Sequence, residues 1–415
     1  MYLELNKDLT PEQIAIKEQT HRFAAEVLRP VSIKLDKMDP EAVIAQGSPL
    51  WDVFRAYYGQ GFHLSQFPEA LGGANLGPLD MHIVIEEMAW GSVDFGVALA
   101  VASFPFVYAA QFAALTGNKR LMEEIVLPFA ADREAKHIGC WAITEPQHGS
   151  DTLMLGTEAF ANPETAGECR ARLDGDEWVI NGQKSSWVSN GTIATHALLF
   201  LTLDPSMGMA GGGVAVVPLG LPGVTKGKPL DKLGQRALNQ GEIFFDNVRI
   251  PRDYMLVESE GYATVLNMTL ATANAMMGAL LTGVARASFE EALAYTKTRR
   301  QGGKLISEHQ VVQTKLFDMF TRVEQARAIS RAAMVYNLST VPPALPYSIA
   351  SKITCTQAAF NVASDAIQLF GGLGLCRELV VEKFFRDARA SLIEDGCNEV
   401  LALAGARDVL DSYTA

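Results

Sequence analysis

Cysteines are few in this chain, and they lie far apart. Five occur in 415 residues, no two form a C-x-x-C pair, and no H-E-x-x-H is present. Structural zinc and thioredoxin-type exchange are therefore not expected. Scattered thiols in a chain this long suit a reducing, cytoplasmic compartment. Positive charge is also scarce: Lys plus Arg is 35 against 47 for Asp plus Glu, a net charge of −12. With no basic cluster, nucleic acid and anionic membrane surfaces are poor partners. The first residues, MYLELNKDLT, carry acids early and hold neither an apolar leader core nor an Arg-rich amphipathic stretch, so no targeting segment is expected. The longest apolar tract, about 95–115, is interrupted by Ser103, Pro105 and Gln111. It reads as one buried helix, and no membrane insertion is expected.

What is present suits a globular protein of two to four domains: 48% hydrophobic and 20% charged residues. Thr10-Pro11-Glu12-Gln13 is a helix start, with Thr10 as cap and Gln13 completing a capping box. Helical periodicity recurs through 51–59, 79–90, 96–115 and 119–131. The texture changes near His137. HIGCWAIT reads as a strand, Asp174-Gly175 marks a hairpin, and Asn181-Gly182 reads as another turn. Short apolar runs at 197–203, 213–219 and 242–250 continue the β pattern. Helical patterning returns after Pro251. One helix of roughly 60 Å is expected over 261–300. Further helices are expected over 308–338, 347–370 and 396–411. The expected architecture is α+β and multi-domain: an N-terminal helical domain (1–136), a middle β barrel or sandwich (137–255) and a C-terminal four-helix bundle (256–415).

Two glycine-rich stretches lack phosphate-loop spacing. GMAGGG at 208–213 has no following Lys-Ser/Thr and reads as a flexible hairpin. FGGLG at 370–374 reads either as a helix C-cap or as backbone left open to a ligand phosphate. The loop Ile143–Asp151 gathers hydroxyls, a carboxylate and a glycine. In a separate segment, 187–191, Trp187 is followed two residues later by Ser189. An aromatic plane with hydroxyl donors nearby is what a flavin ring requires.

These residues resemble the acyl-CoA dehydrogenase flavoproteins. FPEALGG is similar to P-E-x-x-G-G, and ITEPQHGSD to T-E-P-x-x-G-S-D. VINGQKSSWVSNG, then KLGQR with IFFDNVRIP, then YTKTRRQGGKLISEHQ, QLFGGLG and RDAR follow in the family's order over most of the chain. The resemblance implies FAD as cofactor. Thr144 and Ser189 would hydrogen-bond the flavin, Trp187 would cover it, and Gly149 and Ser150 would line the phosphate and ribityl region. Trp141, Gly396 and Asn398 are implied as further cofactor contacts. Arg299, Gln310, Gln368, Gly371 and Gly372 would reach the FAD of a neighbouring subunit in a homo-oligomer, with a tetramer expected. Ser150, Asn274 and Asp395 are implied as substrate contacts.

The departures bear on the chemistry. The family's usual base is the Glu of I-Y-E-G-T. Here the stretch is Leu392-Ile393-Glu394-Asp395-Gly396-Cys397. Aligning Gly with Gly places Asp395 at the base and Glu394 at the Tyr position. Asp is one methylene shorter, so its carboxylate sits on the order of 1.5 Å farther back. A base must come within about 3 Å of its proton, so a bulkier, branched or alicyclic acyl group is consistent. Asp395 as a helix cap, with Glu394 as the base, stays open. On the long helix, Ala271 and Asn274 replace an Asp and an Arg near the thioester. Nitroalkane oxidases share the fold, use an Asp base and react with oxygen; their Arg partner has Ala402 in its place here. The expected function is α,β-dehydrogenation of an acyl-CoA, with an electron-transferring flavoprotein as acceptor. A nitroalkane-oxidase-like or other flavin oxidase or monooxygenase, and a non-catalytic flavin-binding protein, are the alternatives.

Overall fold

The computed structural model describes residues 9–413. Among the described residues, nine α-helical segments build the first part: α1 (Pro11–Phe23), α2 (Arg29–Leu35), α3 (Pro40–Ile44), α4 (Pro49–Gly59), α5 (Pro78–Gly91), α6 (Val93–Val101), α7 (Phe104–Thr116), α8 (Lys119–Leu121) and α9 (Leu127–Ala131). Their starts follow local chemistry. Thr10 Oγ1 accepts from Gln13 N–H and Gln13 Oε1 from Thr10 N–H, which closes the capping box. Ser48 Oγ caps α4 by accepting from Leu50 N–H, and Ser92 Oγ caps α6 by accepting from Phe95 N–H. The apolar tract at 95–115 is two helices, not one. The chain leaves α6 at Ala102, and Ser103 precedes a new first turn that carries Pro105. A proline has no N–H to give to a continuous helix, so its place is a first turn.

The middle part is an eight-stranded sheet in the order β6-β7-β3-β2-β4-β5-β8, with β1 parallel beside β4. Its strands are β1 (Gly139–Ala142), β2 (Arg170–Asp174), β3 (Glu177–Ser189), β4 (His196–Thr202), β5 (Gly212–Pro218), β6 (Val224–Lys226), β7 (Gln240–Pro251) and β8 (Met255–Val257). Asp174 pairs with Glu177 across the expected hairpin turn. Asn181-Gly182 is not a turn: it lies inside β3, where the register against β7 shifts between Ile180 and Gly182. A bulge lets a long strand bend without ending. The sheet also runs two residues past the expected boundary at 255, because β8 pairs with β5 through Val257. The 208–213 glycines form a short helical turn and the start of β5, joining β4 to β5 as a hairpin.

The last part is α10 (Ser259–Thr296), a small hairpin β9 (Arg300–Gln301) and β10 (Lys304–Leu305), then α11 (Gln310–Ser339), α12 (Leu345–Phe370), α13 (Val380–Ser391) and α14 (Asn398–Ser412). Helix α13 lies outside the helices expected from the sequence pattern. At 38 residues α10 is about 57 Å long. It packs against α5, α11 and α12 and is buried on most sides, which explains its apolar length. Small residues let the partners approach: a Cβ at Gly278 would stand 2.2 Å from Ser351 Oγ. Buried ionic contacts join the N-terminal helices to the bundle. Arg286 of α10 grips Glu87 with two bonds, 2.7 and 2.5 Å, and reaches Glu86 at 2.9 Å.

Candidate active site

The three parts meet at a cleft of ≈ 950 Å³. One wall comes from the sheet and its loops, and includes Trp141, Thr144, Gly149, Ser150, Trp187 and Ser189. The opposite wall is apolar, with Val97, Ala100, Val101, Phe104, Ala273, Met276, Met277 and Leu280 from α6, α7 and α10. Glu394, Asp395 and Gly396 enter between them.

The sheet wall is braced from behind. Thr144 C=O accepts from Ser185 N–H at 2.8 Å, which ties the loop leaving β1 to β3. The next residue, Glu145, is buried and accepts from Lys184 Nζ at 2.6 Å and from Glu168 N–H at 2.6 Å. Lys184 also donates to Ile143 C=O. A buried ion pair of this geometry, with its remaining bonds satisfied, fixes the loop that carries Thr144. A second relay starts at Lys232, which donates to Gln240 Oε1 at 2.8 Å. That contact orients the Gln240 amide, which donates to Trp187 C=O and Ser189 Oγ, both at 3.2 Å. Ser189 Oγ is thus an acceptor there, and its own proton is available to the cleft. Burial lowers the Lys232 ammonium from its ordinary value, with the Glu394 carboxylate opposing the shift.

These features fit a flavin. Trp187 presents an indole that is 58% exposed, an unusual state for so large an apolar surface. Trp141 packs between Phe104 and Phe200, and its Nε1 is buried without a partner among the described residues. Hydroxyls at Thr144 and Ser189 line the same wall. At Gly149 an added Cβ would meet nothing within 4 Å, so a ligand can approach the backbone there.

The loop carrying the two acids is a left-handed turn. Asp395 has φ 50° and Gly396 φ 99°. A side chain at Gly396 would be strained and would also meet Leu153 Cδ1 at 2.2 Å. Ser150 Oγ accepts from Cys397 N–H at 3.0 Å, so the two signature loops are directly joined. The two carboxylates differ. Glu394 accepts from Gln235 Nε2 at 2.6 Å and is held back against the 231–236 segment. Among the described residues, Asp395 has no hydrogen-bond or ion-pair partner and opens to the cleft. Burial pushes the Asp395 carboxyl up to about 6, with the Lys352 ammonium opposing the shift. Burial also raises Glu394, against the pull of Lys232 and the Gln235 bond.

The remaining expected residues fall in three places. Arg299, Gln310, Gln368, Gly371 and Gly372 are exposed and lie at one end of the bundle, outside this cleft. The stacked rings of Tyr295 and Phe370, 4.0 Å apart, bring the C-terminal ends of α10 and α12 together there. Asn398 is engaged behind the turn with Lys352 and Thr356. Asn274 departs from expectation as a substrate contact. It is fully buried, donates to Leu270 C=O one turn back, and does not line the cleft; its neighbours Ala273 and Met276 do. Sequence reasoning gave no role to Lys184, Gln235, Gln240 or Lys352. KLGQR and N-G-x-K did flag the segments of the first two.

Residues 10–138, 140–248 and 260–410 match the N-terminal, middle and C-terminal domains of acyl-CoA dehydrogenases. The human mitochondrial short-chain specific acyl-CoA dehydrogenase is 31% identical over 407 residues, covering 97% of this chain and 91% of that protein. Benzylmalonyl-CoA dehydrogenase of Aromatoleum aromaticum is 31% identical over 405 residues, covering 97% and 99%. A glutaryl-coenzyme A dehydrogenase solved with glutaryl-CoA superposes with a TM-score of 0.85 at 26% identity, covering 98% of this chain and 97% of that one. With the cleft, its flavin-type wall and the three matched domains together, the chain belongs to the acyl-CoA dehydrogenase family of FAD-dependent oxidoreductases.

Proposed function

We propose that this protein desaturates an acyl-CoA thioester between its α and β carbons, with Asp395 as the base. The observation that carries the assignment is the contrast between the two acids: Asp395 is unengaged in the cleft, while Glu394 is bonded to Gln235. An ionised Asp395 takes the α-proton onto its carboxylate. A carboxyl near 6 is mostly ionised at neutral pH and remains basic enough to accept a carbon-bound proton. The main-chain amides of Asp395 and Gly396 make no bond among the described residues, while Glu394 and Cys397 N–H are satisfied. Those two free donors suit the thioester oxygen, where negative charge develops as the proton leaves. When bound, FAD supplies the acceptor for the β-hydrogen, which leaves as hydride. Thr144 and Ser189 would orient its ring and Trp187 would shield it. The apolar wall supports a hydrocarbon acyl group, and the short reach of Asp395 supports a branched or alicyclic one. Reduced enzyme would pass electrons to an electron-transferring flavoprotein in a cytoplasmic setting.

The assembly is a homo-oligomer in this reading, with a tetramer expected. Support comes from the exposed end of the bundle, where Arg299 and Gln368 share a region with exposed apolar Val311 and Leu375. The test is anaerobic bleaching of the purified flavoprotein by a panel of acyl-CoAs. A branched or alicyclic acyl-CoA should bleach it, with slow reoxidation by oxygen. Asp395→Asn should slow bleaching by about 10²-fold or more, and Glu394→Gln far less. The reverse order would move the base to Glu394. Fast reoxidation by oxygen would point to an oxidase.

A further inference from the structure

Behind the turn that presents Asp395 stands a lysine that the proposed reaction does not touch. Lys352 is on α12 and its side chain is fully buried. Its Nζ donates to Gly396 C=O and to Asn398 Oδ1, both at 2.7 Å. Asn398 in turn donates to Thr356 Oγ1 at 3.0 Å, so its amide is oriented to accept from the lysine. Both partners of the ammonium are neutral, and no carboxylate oxygen lies within 4.0 Å of it among the described residues. A buried cation with only neutral ligands is costly, so it favours negative charge nearby. The carboxylate that interacts with it most strongly is Asp395.

We propose that Lys352 is a positioning residue: its buried ammonium braces the left-handed turn and holds the Asp395 carboxyl in its ionised, proton-accepting state. The geometry gives the bracing half of the role, and the attraction between the two buried charges follows from it. Gly396 C=O belongs to the peptide that follows the strained residues, and its bond to Lys352 fixes the plane of that peptide. The same Nζ does not line the cleft and supplies a buried positive charge one residue along the chain from Asp395, at the Gly396 carbonyl. Other titratable groups stand around this turn. Glu394 and Cys397 share the loop, Glu399 opens α14, Lys232 comes from the 231–236 segment, Arg389 from α13 and His148 from the 143–151 loop. Burial lowers the Lys352 ammonium to about 8, with Asp395 the foremost group opposing that shift. The coupling therefore runs in both directions, as linkage requires.

The inference rests on Asp395 as base, but its test reads the acid and the lysine without turnover. Infrared difference titration of the FAD-bound protein, referenced to Asp395→Asn, isolates the Asp395 carboxyl band. Lys352→Gln keeps a donor for Gly396 C=O and removes the charge. It should raise the Asp395 midpoint by roughly one pH unit, while Lys352→Arg keeps it within a few tenths. An unchanged midpoint in Lys352→Gln overturns the proposal. Should that variant fail to fold, the reciprocal measurement uses the natural lysine. The ¹⁵N-lysine resonance of Lys352 should titrate at lower pH in Asp395→Asn than in the parent, and an equal midpoint is equally fatal. Coupled midpoints in a protein that no acyl-CoA bleaches would sink the dehydrogenase reading and leave this one standing. Bleaching by an acyl-CoA with uncoupled midpoints would do the opposite.

Discussion

Replacing Asp395 by Asn should make the protein more stable while making it a poor catalyst. The folded-state carboxyl stands near 6 against an ordinary 3.8, because burial in the cleft penalises its charge. At about 1.4 kcal/mol per pH unit, that gap corresponds to about 3 kcal/mol against folding once the group is ionised. Part of the side chain reaches solvent, so about 2 kcal/mol is the better expectation. The direction with pH follows from the order of the two values. The folded state holds its proton more tightly than the unfolded chain. The stability tied to this group is therefore fully present below about 3.8 and is lost as pH rises through about 6. Asn mimics the neutral acid at every pH. Its advantage should be near zero at pH 4, grow between pH 4 and 6, and level off above. Thermal unfolding of parent and variant, FAD-bound and compared at matched pH, reads the difference directly. A constant gap from pH 4 to pH 8 would show that the effect is not charge. A parent more stable than Asp395→Asn at pH 8 would refute the burial argument altogether.

The remaining expectations concern rate, cofactor and core. With Asp395 as the proposed base and its carboxyl near 6, flavin reduction at saturating acyl-CoA should rise about tenfold between pH 5 and 7 and then flatten; a profile flat across that range removes Asp395 from the proton transfer. Arg299→Ala should weaken FAD retention far more than it lowers the unfolding temperature, since Arg299 is exposed and, in the proposed oligomer, would lose charge-assisted bonds to a neighbour's pyrophosphate. Equal FAD content after gel filtration would return Arg299 to an ordinary surface role. Arg286→Leu leaves Glu86 and Glu87 buried with less countercharge, and should cost about 3–5 kcal/mol in stability. An unfolding temperature equal to the parent's would show that the cluster is not held as the hydrogen bonds place it.

The amino-acid sequence by itself determined the order helices, sheet, helices. Periodicity is a local property, and a capping box such as Thr10 with Gln13 is written within one turn. It also singled out Thr144, Trp187 and Ser189, which the fold brings to one cleft, because they sit inside motifs whose order the chain keeps. Local signals failed where the outcome depended on neighbours. Asn181-Gly182 carries a turn signature, yet β7 continues past it and turns it into a bulge. The tract 95–115 is apolar throughout, and nothing in its hydropathy tells one buried helix from two. Asn274 occupies an aligned place on α10, but only packing decides which face of a helix buried on most sides meets the cleft. The choice between Glu394 and Asp395 was likewise closed to the sequence. They are adjacent, and what separates them is Gln235, 159 positions away, bonded to one and not the other. Lys352 is 44 positions from the carbonyl it grips. Contacts between residues so distant in the chain exist only once the fold has brought α12, the 231–236 segment and the acidic turn to one point.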